Sequence, residues 1–121
     1  MSLANAGLSK PIILSGNELT FLQPEGPRLP LGVKQNVNYE QTDYNLKSGD
    51  VLTLTTDGIN EAQNSSRELY SDERLKEHIL SIDAKRMSAA EIKDSIIKNV
   101  QKFTRTEKPK DDMTVLAIKI K

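Results

Sequence analysis

Hydrophobic and polar residues alternate, or form short apolar runs, in several stretches separated by glycine, proline and polar residues. Five such stretches predict β-strands, and they cover residues 12–14, 18–22, 37–46, 51–56 and 113–121. The first two are joined at Gly16-Asn17, which suits a two-residue hairpin turn. The fourth is apolar and β-branched and stops at Asp57-Gly58, which is typical of a buried strand that ends in a turn.

Between the fourth and fifth strands, apolar residues recur at helical spacing in two segments. Their apolar positions are Leu75, Ile79 and Ile82 in the first segment and Ile92, Ile96, Val100 and Phe103 in the second. Ser71 is placed to cap the first helix, and Ser88 with Glu91 forms a capping box for the second. Four strands, two helices and one strand predict an α+β fold, with a mainly antiparallel sheet that carries both helices on one face.

Composition excludes several classes of function. The 121 residues contain 17 basic and 17 acidic side chains, so we expect no nucleic-acid surface. Because there is no cysteine and His78 is the only histidine, a thiolate zinc site and a Ser-His-Asp triad are disfavoured. Neither a membrane span nor a signal peptide is evident in the sequence. We therefore expect one cytoplasmic domain or a piece of one. Met1-Ser2-Leu3 could derive from an expression vector.

Two acidic positions carry the candidate chemistry. If the strands 51–56 and 113–121 are antiparallel neighbours, Asp57 and Asp111 meet at one edge of the sheet. Two carboxylates held close together favour a cation between them, and oxygen ligands favour Mg²⁺ or Mn²⁺ over Zn²⁺. Gly58 would allow a sharp turn after Asp57. The alternatives are an ordinary Asp-Gly turn and a solvated acidic loop at Asp111-Asp112.

Five ordered segments of this sequence resemble the PP2C-type serine phosphatases of the SpoIIE/RsbU group. They are Ala4–Gly7, Pro30–Gly32, Thr56–Ala62, Glu68–Leu75 and Asp111–Thr114. The resemblance implies a bacterial protein serine/threonine phosphatase that hydrolyses phosphoproteins, commonly anti-sigma-factor antagonists, in sigma-factor regulation. It also implies a PP2C-like sandwich of two sheets, of which this chain has too few strands for the whole.

The same resemblance assigns the site. It implies that Asp57 and Asp111 bind metal, with Asp112 and Gly58 as second-choice ligand or near-site residues. Two Mg²⁺ or Mn²⁺ ions would activate the attacking water, so no catalytic residue is implied beyond the metal ligands.

Two departures from the family limit that assignment. Leu8 stands where the family usually has histidine, and the Gly-Asp and Asp-x-x-Gly-His-Gly segments of the family's first half are missing. We therefore expect residues 4–121 to be the C-terminal half of the domain, with the N-terminal half as a missing partner. The metals would bind weakly or not at all, and the isolated chain would be inactive.

Two further expectations follow. We expect one face of the sheet to be left uncovered, so that two copies associate as a homodimer. On the strand 51–56 this face would carry either Thr53 and Thr55 or Leu52 and Leu54. On the strand 113–121 it would carry either Val115 and Ala117 or Leu116 and Ile118. The alternatives to a phosphatase are a non-catalytic partner-binding module, that is, a pseudophosphatase, and an unrelated α+β domain. The second of these fails if the two aspartates converge in space.

Overall fold

The computed structural model describes residues 1–121 and contains six strands and three helices. The strands are β1 (Ser2–Leu3), β2 (Ile12–Ser15), β3 (Glu18–Phe21), β4 (Thr42–Asp43), β5 (Val51–Thr55) and β6 (Val115–Lys119). The helices are α1 (Asp57–Asn60), α2 (Ser71–Ser81) and α3 (Ala89–Thr104). None of the helices combines the length and hydrophobicity that crossing a membrane requires.

The main sheet has four strands in the order β3-β2-β5-β6, and every neighbouring pair is antiparallel. β2 and β3 form the predicted hairpin, in which Gly16 adopts a φ of 61°. β5 and β6 pair from Val51 with Lys119 to Thr55 with Val115, so the end of β5 lies beside the start of β6. The predicted antiparallel pairing of these two strands is confirmed.

The hydrophobic core lies between this sheet and the two longer helices. Strand residues that alternate along β2 and β5 contribute to it, together with the apolar stripes of α2 and α3. The central members are Ile12, Leu14, Val51, Ile59, Tyr70, Leu75, Ile79, Ile92, Ile96 and Val100, all buried. The prediction that both helices cover one sheet face is therefore confirmed.

Lys119 ties the last strand to the connection between α2 and α3. Its Nζ donates hydrogen bonds to the carbonyl oxygens of Ala84 (2.9 Å), Lys85 (2.8 Å) and Met87 (2.7 Å). These three acceptors use all three donors of the ammonium group. The helical layer is thereby held against β6, the strand that begins just after Asp111 and Asp112.

The predicted N-terminal caps of the two longer helices differ in outcome. The capping box at Ser88 and Glu91 is present in full, with both reciprocal hydrogen bonds. Ser71 does not cap α2; it is the first helical residue, with a φ of 68°, and Tyr70 precedes it without a side-chain cap bond.

The predicted strand over residues 37–46 is wrong in extent, because only Thr42–Asp43 is extended. Its pairing partner is Ser2–Leu3, outside the main sheet. Its apolar residues do not share one face of a regular strand, because Val37 and Tyr39 are at odd positions and Tyr44 and Leu46 are at even ones.

Candidate metal-binding edge

The end of β5 and the approach to β6 are joined at the edge where Asp57 and Asp111 lie. The backbone N–H of Thr56 donates to the carbonyl oxygen of Thr114 at 3.2 Å. The hydroxyl of Thr56 accepts from the N–H of Thr114 at 3.0 Å and donates to the carbonyl oxygen of Asp112 at 3.2 Å. These bonds fix the segment of Asp57 beside the segment of Asp111 and Asp112, so the predicted convergence at one edge is confirmed.

Position 58 requires glycine because a larger residue would clash with the neighbouring segment. The expectation that Gly58 allows a sharp turn is wrong. Gly58 lies inside α1 and is not among the residues with positive φ. A Cβ atom at this position would lie 2.2 Å from the carbonyl oxygen of Asp112 and 3.3 Å from that of Asp111. Only glycine therefore lets α1 approach the acidic segment this closely.

The carboxylate of Asp57 is held by a residue that sequence reasoning missed. Ser9 Oγ donates a hydrogen bond to Asp57 Oδ1 at 2.5 Å. The carboxylate of Asp111 is oriented within its own segment, because its Oδ1 accepts from the N–H of Asp112 at 2.7 Å. Each of the two candidate ligands thus has one oxygen engaged by the protein.

Hydrogen bonds and packing within the loop before Ser9 position the Ser9 hydroxyl. The side chain of Asn5, which is 6% exposed, donates to the carbonyl oxygen of Leu8 at 3.0 Å and accepts from its N–H at 2.8 Å. Gly7 has a φ of 93°, and a Cβ atom there would lie 3.0 Å from Pro30 Cγ. The segments 4–7 and 30–32, which the sequence reasoning noted separately, therefore contact each other.

Leu8 takes part in this loop only through its backbone. Its N–H and carbonyl oxygen both bond to Asn5, while its apolar side chain is 40% exposed. The side chain therefore brings no hydrogen-bonding or metal-binding atom to the edge. Ser9 directly follows this position, but nothing in the sequence indicates its contact with Asp57, which is 48 positions away.

A small cavity of about 260 Å³ opens beside the edge, between Gly58, Glu61, Gln63, Lys110 and Asp111. Carboxylate oxygens are suitable ligands for Mg²⁺ or Mn²⁺. No group of three or more histidine, cysteine, aspartate or glutamate side chains is close enough together to hold a metal ion. The chemistry of the donors fits such an ion, whereas their number provides only part of the ligands that Mg²⁺ requires.

His78 lies elsewhere, in the helical layer. Its Nε2 is 2.9 Å from Ser95 Oγ, which places it between α2 and α3. Burial lowers the pKa of His78 below its ordinary value, and the hydrogen bond with Ser95 opposes that shift. The absence of an acidic partner in this contact agrees with a packing role.

Comparison with known proteins identifies the family. The family described as Stage II sporulation protein E (SpoIIE) matches residues 1–121. The chain belongs to the SpoIIE family. It is also 31% identical over 120 residues to the phosphoserine phosphatase RsbU of Bacillus subtilis, a match that covers 98% of this chain and 34% of RsbU.

Solved structures show the same fold. This SpoIIE-family chain matches the PP2C phosphatase domain of SpoIIE from Bacillus subtilis, solved with a fragment of its regulatory domain, with a TM-score of 0.81 and 26% identity. That match covers 98% of this chain and 33% of the other. A manganese-presoaked SpoIIE phosphatase domain matches with a TM-score of 0.71 at 22% identity, over 99% of this chain and 56% of that one.

These matches show how much of its relatives the chain spans. It spans about one third of RsbU and of the longer SpoIIE structure. Its mixed α+β fold, with an antiparallel sheet and two helices on one face, matches part of the PP2C phosphatase domain of SpoIIE. The family resemblance noted from the five sequence segments is therefore confirmed.

Proposed function

We propose that this chain is the C-terminal half of a metal-dependent protein serine/threonine phosphatase domain, in which residues 4–121 supply one side of the active site. The observation that carries the proposal is the joined edge, where Thr56 and Gly58 hold Asp57 beside Asp111 and Asp112. The similarity to a phosphoserine phosphatase supports hydrolysis of a phosphomonoester.

In this proposal Asp57 and Asp111 hold Mg²⁺ or Mn²⁺, with Asp112 and Gly58 as the neighbouring positions. When bound, such ions lower the pKa of a coordinated water and neutralise charge that develops on the phosphoryl group. Ser9 holds Asp57 Oδ1, and Gly58 keeps α1 against the carbonyl oxygen of Asp112. No further catalytic residue is assigned within the chain.

The substrate we propose is a phosphoprotein, with an anti-sigma-factor antagonist as the candidate. The support is the similarity to RsbU, which is named a phosphoserine phosphatase. Sigma-factor regulation takes place where transcription does, so we propose a cytoplasmic location. The N-terminal half of the domain is the partner that would complete the ligand set.

We also propose that the isolated chain forms a homodimer through the sheet face that the helices leave open. On this face Leu52 is paired with Ile118 and Leu54 with Leu116. Leu116 is 52% exposed and Ile118 is 40% exposed, although Leu52 is buried. An apolar strip on a sheet favours stacking against a second copy.

Light scattering at micromolar concentration should give the mass of a dimer, and Leu116→Glu should convert it to a monomer. Leu80→Glu is the matched control, because Leu80 is 43% exposed on α2. A cooperatively unfolding monomer of the unaltered chain would rule the dimer out.

A non-catalytic partner-binding module is the second candidate. Two observations favour it: Leu8 brings no polar side chain to the edge, and the chain alone does not gather three metal-ligating side chains. In that case the edge would be retained for the fold and would not bind metal. The two candidates therefore differ in whether Mn²⁺ binds at Asp57 and Asp111.

Paramagnetic broadening of amide signals by Mn²⁺ distinguishes the phosphatase from the non-catalytic module, because it detects even weak metal binding. We expect residues 57–58 and 111–112 to broaden first, reversibly with EDTA. Asp57→Asn and Asp111→Asn should each raise the Mn²⁺ concentration required by at least about 10-fold, the lower end of the effect of losing an outer-shell partner.

Asp94→Asn is the matched control, since Asp94 is an exposed carboxylate on α3. Broadening that is spread over all acidic residues, or that persists in Asp57→Asn, would favour the non-catalytic module.

A further inference from the structure

A second concave site lies next to the metal-binding edge, on the turn of residues 63–68. Asn64 Oδ1 accepts from the N–H groups of Ser66 (3.0 Å) and Glu68 (2.9 Å), and the N–H of Arg67 donates to the Asn64 carbonyl oxygen at 2.9 Å. Gln63 and Leu69 form an isolated antiparallel bridge across the base of the turn. These bonds hold the turn in one conformation and present Arg67 on it.

Arg67 occupies an unfavourable backbone conformation. Its φ is 62°, in the left-handed region that glycine adopts more readily than other residues. A long cationic side chain at this place costs conformational free energy that glycine would avoid. Such strain occurs preferentially at functional positions, so Arg67 is a candidate for a binding role.

A pocket of about 280 Å³ surrounds this position. Its lining includes Gln63, Asn64, Arg67, Glu107, Lys108 and Lys110, and none of the lining residues is hydrophobic. Arg67 and Lys108 are absent from all three ion pairs of the chain. Three basic side chains therefore face one acidic side chain in this pocket.

The pocket adjoins the cavity beside Gly58 and Asp111. Gln63 and Lys110 line both spaces, and Lys110 Nζ donates a hydrogen bond to Gln63 Oε1 at their shared boundary. A peptide whose phosphorylated side chain reaches the metal-binding edge would therefore have its neighbouring residues close to Arg67 and Lys108.

We propose that this pocket binds acidic side chains that flank the phosphorylated residue of the substrate. Unpaired cations lining a concave surface attract negative charge, and each exposed pair with a carboxylate adds a modest amount to affinity. The inference rests on the proposed phosphatase function, because it places the phosphorylated residue at the edge of Asp57 and Asp111. To the proposed phosphatase function the inference adds a preference for phosphopeptides with acidic residues beside the phosphorylated one.

Chemical-shift titration in EDTA tests this preference without metal. The three probes are a peptide with phosphoserine followed by three aspartates, the same peptide with three asparagines, and the aspartate peptide with unmodified serine. At about 50 mM ionic strength, where screening is weaker than at physiological salt, both aspartate peptides should shift the amides of residues 63–67, Glu107, Lys108 and Lys110. For the phosphorylated pair, the aspartate peptide should have a Kd about fivefold lower than the asparagine peptide.

Arg67→Gly and Lys108→Gln should each remove most of this difference in Kd. Arg67→Gly should also unfold at a temperature at least as high as the unaltered chain, because glycine relieves the backbone strain. Lys98→Gln is the matched control: it removes one exposed lysine from α3, outside the pocket. Retention of the aspartate preference in Lys98→Gln, with its loss in Arg67→Gly, would support the pocket.

Equal affinity for the aspartate and asparagine phosphopeptides, absence of binding, or an unchanged preference in Arg67→Gly would overturn the inference. Shifts that require the phosphoserine alone would also overturn it, because the pocket would then hold the phosphoryl group. Since EDTA removes metal, these outcomes are independent of Mn²⁺ binding at Asp57 and Asp111. Failure of the acidic preference can therefore be distinguished from failure of the phosphatase proposal.

Discussion

Gly58→Ala is expected to lower the free energy of unfolding by about 3 kcal/mol, at the upper end of the usual cost of overpacking. The added Cβ would lie 2.2 Å from the carbonyl oxygen of Asp112 and 2.8 Å from its carbonyl carbon. These are backbone atoms, so no side-chain rotation relieves the clash. Helix propensity alone predicts the opposite sign, since alanine in a helix is favoured over glycine by about 1 kcal/mol.

Urea unfolding measures this change, with Gly16→Ala as the matched control. Nothing lies within 4 Å of a Cβ atom at Gly16, and its φ is 61°, so only backbone strain of about 1 kcal/mol applies there. Gly58→Ala should cost more than Gly16→Ala and should shift the amide signals of residues 111–114. Unaltered stability together with unaltered amide signals would show that α1 and the acidic segment are not in contact.

The second prediction with a large expected effect concerns phosphatase activity in the isolated and the joined chain. The isolated chain should hydrolyse p-nitrophenyl phosphate with Mn²⁺ no faster than its Asp57→Ala variant, because too few ligands are present to hold the metal ions in place. The same chain joined to the upstream half of a SpoIIE-family phosphatase domain should become active. Robust turnover by the chain alone, lost in Asp57→Ala, would mean that its site is complete.

The hairpin and the edge where Asp57 and Asp111 lie were predictable from local patterns, once antiparallel pairing of β5 and β6 was assumed. Alternation along residues 12–22 and a glycine at position 16 specify a hairpin. An aspartate at the end of one strand and another at the start of its antiparallel neighbour must lie at the same edge. The capping box of α3 involves residues only three positions apart, so it too is visible in the sequence.

The remaining features depend on contacts between distant segments. Ser9 reaches Asp57 only because Asn5 closes its loop and Gly7 packs against Pro30. The need for Gly58 arises from Asp112, more than fifty positions away, and not from its own backbone angles. No periodicity reports such contacts, so the sequence indicated Gly58 and Asp112 without their mutual contact and did not indicate Ser9.

The proposed phosphatase site is tested most directly by the activity of the joined domain toward a phosphoserine peptide. With Mn²⁺ the unaltered joined domain should release phosphate, and Asp57→Ala should reduce kcat/KM by at least about 100-fold. Losing an outer-shell partner of a metal ligand already costs up to that factor. Asp94→Ala, which alters an exposed carboxylate on α3, should leave kcat/KM unchanged. If Asp57→Ala in a folded joined domain retained the unaltered kcat/KM, the edge between β5 and β6 would not be the metal site.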